Sequence, residues 1–104
     1  MSHSDGIELP PIDELLREPA RLRLLVLLSV VKRADFTYLL NLSGMSKGNL
    51  SVQINKLGDA RMVKIDKSFQ GNRPRTMYEL TAQGRKALRA YKKNMRAILA
   101  ALPD

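Results

Sequence analysis

Between Ser46 and Asp59 the chain of 104 residues gathers side chains suited to reading another molecule through hydrogen bonds. At 100° per residue, Leu50, Ile54 and Leu57 fall within about 60° of one another and must face a core. Gly48, Val52, Asn55 and Asp59 lie on the opposite side, flanked by Asn49, Ser51 and Lys56. An asparagine amide can bond an adenine edge at two atoms, a serine hydroxyl donates or accepts, and a valine can touch a thymine methyl. Ser46, Lys47 and Gly48 open the segment, and small residues there let the backbone approach phosphates at the positive end of a helix. A plain solvent-facing helix would carry Glu and Lys at a spacing of four. Gly, Asn, Ser and Val are weak helix formers, and that cost is better explained by a task. Asp59 is the exception, because phosphates repel a carboxylate. It is expected to lie beyond the groove or to pair with a base such as Arg61.

A second basic group follows. Lys64 and Lys67 line one alternating run, and Arg73 and Arg75 bracket Pro74 at the start of another. A narrow minor groove attracts inserted arginine. Arg73 or Arg75 is therefore expected in or beside a minor groove, with a phosphate contact the alternative for either. The charge distribution agrees. Residues 1–44 carry five basic and six acidic residues, and residues 45–104 carry thirteen basic and four acidic. The net charge of +8 thus resides in the second part, which points to a polyanionic partner.

Covalent and metal chemistry lack their parts. There is no cysteine, and the single histidine, His3, lies in a polar N-terminal stretch. Disulfides, thiolate nucleophiles, Ser-His-Asp catalysis and histidine metal sites have nothing to be built from. Neither G-x-x-x-x-G-K nor G-x-G-x-x-G occurs. An enzyme is the least expected reading, and no catalytic residue, metal ligand or cofactor is assigned. The most apolar run, Leu24–Leu28 extended by Val30 and Val31, is well short of the about 20 residues that span a bilayer. The expected address is the cytoplasm, with no membrane partner.

The elements that must hold these residues follow from periodicity and caps. Residues 1–10 read as a flexible tail, and residues 11–104 as a single domain. Ile12, Leu15 and Leu16 predict a short amphipathic helix. Pro19 opens the next helix, which runs to about Lys32 and is apolar on most sides, as a central buried helix would be. Asp35 caps a third helix carrying Phe36, Leu39, Leu40 and Leu42, and Gly44 stops it. Ser46 caps the helix described above. Val63, Ile65, Lys67 and Phe69 then alternate with Met62, Lys64, Asp66 and Ser68, a turn cluster covers Gln70–Pro74, and Thr76, Tyr78 and Leu80 share a face. Thr81 caps a final helix to about Leu102. The chain is mainly α with a β-hairpin: a helix-turn-helix at about 35–60, a wing at about 62–80 and a long C-terminal helix at about 81–102.

On that last helix Leu88, Tyr91, Met95, Ile98 and Leu102 follow spacings of three and four, a seam two heptads long. A three-helix core and a hairpin cannot easily cover it, so these residues are expected to meet a second copy. A two-fold dimer would need half-sites about 10 base pairs apart.

Several segments resemble the winged-helix transcriptional regulators of bacteria and archaea, the small stand-alone relatives of the multiple-antibiotic-resistance and arsenic-resistance regulators. They are P-A-R-L-R-L-L at 19–25, G-N-L-S at 48–51, K-S-F-Q-G-N-R-P-R-T at 67–76 and L-T-A-Q-G-R-K-A-L at 80–88, with Tyr91. The resemblance implies a dimeric, sequence-specific DNA-binding protein. It matches Ser46, Lys47, Gly48, Asn49, Ser51, Val52 and Asn55 to the reading helix, and Arg73 and Arg75 to the wing. Gln53 departs from the histidine of many relatives, which bears on packing or a phosphate contact. Metal sensing does not carry over, because its Cys and His ligands are missing, and a small-molecule effector is left open.

The leading expectation is thus a regulator that binds double-stranded DNA, with Lys56 and Lys67 adding to the interface. The alternative is a winged-helix protein-interaction module without direct DNA readout. An RNA-binding module would prefer exposed aromatics, and most of the five aromatics here fall at expected core positions.

Overall fold

The computed structural model describes residues 6–104. His3 and half of the expected tail lie outside the described residues. Where a short amphipathic helix is expected, the chain makes a single 3-10 turn, Glu14–Arg17. The residue before a proline is pushed out of helical geometry, and Glu18, before Pro19, is extended with ψ 116°. No second turn fits. Leu16 from this turn is nonetheless fully buried.

Helix α1 (Pro19–Val31) starts with proline at its first turn, and the Glu18 carboxylate accepts from the Ala20 N–H at 3.2 Å. Leu24, Leu25 and Leu28 are completely buried, whereas Val26 and Val30 stay exposed. The helix is central on one side only, which corrects the expectation of an all-round buried helix. It ends at Lys32, a non-glycine residue with φ +72°.

A strand β1 (Arg33–Asp35) follows that alternation does not reveal, being only three residues long. Helices α2 (Phe36–Ser43) and α3 (Lys47–Asp59) are joined through Gly44, which closes α2 in the left-handed conformation at φ +68°. Strands β2 (Val63–Gln70) and β3 (Arg73–Leu80) form the hairpin. The hairpin is part of a three-stranded antiparallel sheet of order β1-β3-β2. Helix α4 (Ala82–Ala100) closes the fold, so Leu102 falls just past its end. Each expected cap is in place: Asp35 accepts from Tyr38 N–H, Ser46 from Asn49 N–H and Thr81 from Gly84 N–H. The architecture is α+β, a winged helix with a long C-terminal helix.

Leu16 of the 3-10 turn and Leu24, Leu25, Leu28, Leu39, Leu50, Ile54 and Leu57 of the first three helices meet in one core, sealed by Val63, Tyr78 and Leu80 of the sheet. Leu50, Ile54 and Leu57 are the residues that fix the roll of α3 about its axis. Burying all three leaves only one face of α3 free. Helix α4 enters against the sheet at Gly84. A Cβ there would strike the Met62 carbonyl oxygen and come within 2.7 Å of Leu80 Cδ1. Among the described residues, no helix is long and apolar enough to cross a membrane.

Candidate nucleic-acid interface

The free face of α3 is the expected one. Ser46, Lys47, Gly48, Asn49, Ser51, Val52, Asn55 and Lys56 are all exposed. The Ser46 hydroxyl takes the Asn49 N–H at 3.2 Å, and the Ser46 carbonyl takes the Leu50 N–H at 2.9 Å. A helix leaves its first N–H groups unpaired. Those of Lys47 and Gly48 meet no acceptor among the described residues. Open space surrounds the position of a Cβ on Gly48. Two backbone donors and the positive helix end therefore face solvent together, the arrangement that receives a phosphate oxygen. Asp59 is exposed at the last residue of α3 and makes no ion pair among the described residues, so the expected pairing with Arg61 is not formed.

Gln53 is the one buried polar side chain among the described residues, and it is fully engaged. Arg21 Nη1 donates to Gln53 Oε1 at 2.9 Å, and Gln53 Nε2 donates to Asn49 Oδ1 at 3.1 Å. Arg21 Nε donates in turn to the Leu15 carbonyl at 2.7 Å. This chain ties the 3-10 turn and α1 to the exposed face of α3. Sequence reasoning singled out Gln53 for packing or a phosphate contact but missed Arg21. The four-residue spacing of Asn49 and Gln53 was the available signal; a partner 32 residues away in sequence left none.

The wing is narrower than its turn cluster implies. Register pairs Gln70 with Arg73, so the tip is Gly71-Asn72 alone and Arg73 and Pro74 already belong to β3. Gly71 has φ +64°, as the first tip position of a type II′ hairpin requires. Pro74 faces Phe69 in the pair next to the closing one, where β2 asks no N–H of it.

Alternation along the ribbon sorts its side chains. Lys67 and Phe69 share the face of Ile65, whose side chain packs against Gly58 of α3. Arg73 and Arg75 share the other face with Ser68 and Gln70. Phe69 is not in the core, although it alternates in step with the buried Val63; it is 74% exposed. Residues 66–75, the outer half of the ribbon, are all exposed. The two arginines also differ. Arg75 donates to Gln70 Oε1 at 2.8 Å and stands 3.5 Å from Asp35 Oδ2. Arg73 is exposed and makes no side-chain hydrogen bond or ion pair among the described residues.

On α4, Leu88, Tyr91, Met95 and Ile98 are half-buried and Leu102 is exposed. Leu88, Tyr91 and Met95 line an apolar groove with Leu22 and Val26 of α1.

This geometry has a match among known proteins. The family model of the winged helix DNA-binding domain covers residues 20–99. The chain belongs to that family. A winged-helix domain of this kind combines a capped, leucine-anchored helix and a basic ribbon on one small core. Among solved structures, the transcriptional regulator homologue protein from Pyrococcus horikoshii OT3 is similar, with a TM-score of 0.80 at 26% identity over 88% of this winged helix and 91% of that chain. No curated protein matches it.

Proposed function

We propose that this winged helix is a transcriptional regulator that binds double-stranded DNA sequence-specifically as a homodimer. Helix α3 enters the major groove, with Asn49, Ser51, Val52 and Asn55 at base edges. Ser46, Lys47, Gly48 and Lys56 meet the backbone. The wing lies along the minor groove or its phosphates, with Arg73 reaching furthest and Lys67 and Arg75 supporting it. No catalytic step is assigned. One observation carries the reading: the polar face of α3 is uncovered while its three apolar residues are locked into the core. The net charge of +9 after residue 44 and the regulator homologue of like fold support it. Dimerisation is supported by the half-exposed apolar strip on α4 beside α1.

The test is a titration of labelled duplexes, including the chain's own upstream region, at several salt concentrations. Affinity should fall steeply with salt, by about one power of salt concentration per neutralised phosphate, and should favour one sequence. Absence of duplex binding at low salt would leave the protein-interaction module in front.

A further inference from the structure

The hydrogen-bond chain Leu15–Arg21–Gln53–Asn49 has a fixed polarity, and that polarity reaches the face of α3. A guanidinium has only donors. Arg21 therefore requires the oxygen of Gln53, and at 2.9 Å it has it. The Gln53 amide then has only its NH2 left for Asn49, and Asn49 must answer with its oxygen, at 3.1 Å. Each amide is oriented by the group before it. Gln53 is held in the interior, about nine-tenths buried, so it cannot turn over without leaving the guanidinium's donor facing a second donor.

Asn49 is exposed, and with its oxygen drawn back along the helix its NH2 is the group left to face outward. We propose that Arg21 and Gln53 are positioning residues that make Asn49 a hydrogen-bond donor to the major groove. They thereby set which base it accepts. This rests on the DNA-binding reading above and adds a rule to it. A free asparagine bonds adenine with both ends of its amide, accepting from N6 and donating to N7. Asn49 offers donors and so selects an acceptor edge, guanine O6 and N7 or thymine O4.

The rule predicts an inversion. In Gln53→Glu the shape is kept but both side-chain oxygens are acceptors. Arg21 still donates to one of them, and the other now calls for the NH2 of Asn49. The Asn49 oxygen then faces the groove and selects a base donor. At one place in the groove, guanine O6 is replaced by adenine N6, and thymine O4 by cytosine N4. The preferred base should change by a transition, G to A or T to C on the same strand.

The experiment is selection of bound duplexes from a randomised pool by the full chain and its variants. Asn49→Ala identifies the position that Asn49 reads, by loss of preference there. Gln53→Glu should exchange the two transition-related bases at that position, shifting their ratio by about tenfold or more. Elsewhere in the site the preferences should stay. Gln53→Met, which carries no polar atoms to orient Asn49, should accept both bases there, and it keeps the test open if the Gln53→Glu chain fails to fold. An unchanged base at that position in both variants, or an Asn49→Ala selection identical to wild type, would overturn the positioning role while leaving DNA binding intact. A wild-type chain that selects no sequence would overturn both.

Discussion

Gly48 occupies the second position of α3 with nothing near the place where a side chain would go. Its freedom is thus of no use to the fold. Gly48→Glu should leave the unfolding free energy unchanged or raise it by up to about 1 kcal/mol, since glycine is a poor helix former and a carboxylate suits the positive helix end. The same change should lower duplex affinity by at least about tenfold, because it sets a carboxylate where a phosphate is to sit. Equal affinity by fluorescence anisotropy would move the backbone contact elsewhere. Tyr78 gives a test that does not involve DNA. Burial pushes its hydroxyl above the ordinary tyrosine range, so the folded chain holds this proton more tightly than the unfolded one. Its contribution is complete below the unfolded value of about 10 and is lost as pH rises past it. Denaturant titrations between about pH 8 and 11 should show stability falling above pH about 10, and falling less in Tyr78→Phe. Single residues that act locally were readable from sequence: Asp35, Ser46 and Thr81 each cap the helix that follows. Arg21 was not, because its role depends on a residue brought to it only by packing.

At the scale of elements, the boundaries are set by local chemistry and the contacts by what lies beneath. Gly44 and the proline at 19 mark their helices without help from the rest of the chain. Alternation shows which residues of β2 share a face, but not where the body under that face ends. That is why Phe69 stands in solvent while Val63, on the same side, is buried. β1 is too short to alternate and exists because β3 offers it an edge. Gly84 is the element-scale constraint with the clearest cost. Gly84→Ala should destabilise the chain by about 1–3 kcal/mol, since backbone must shift where α4 meets β2. A neutral result in urea denaturation would mean that α4 enters with more clearance. In the wing, Arg73→Ala should weaken all duplexes alike and reduce the salt slope by about one. Arg75→Ala should instead lose its hold on Asp35 and Gln70 as well, and reduce hydrogen-exchange protection along the outer hairpin.

The described residues span 64 × 25 × 23 Å, long for their number, and the apolar strip on α4 is covered only in part. Sequence spacing marked that strip through Leu88, Tyr91, Met95, Ile98 and Leu102, and the groove beside α1 adds Leu22 and Val26. Met95→Glu places a charge in the strip without touching the fully buried core. The chain should remain folded, sediment as a monomer where wild type sediments as a dimer, and lose the gain in affinity for a duplex with two half-sites. A wild-type chain that sediments as a monomer would contradict the dimer. The central claim concerns α3 and the wing together. Amide chemical shifts of the labelled chain, followed as a duplex is added at low salt, test it most directly. Shifts should concentrate in residues 46–56 and 64–75 and leave the buried turns of α1 unmoved; a duplex that instead perturbs α4 and α1, or shifts nothing, would contradict it.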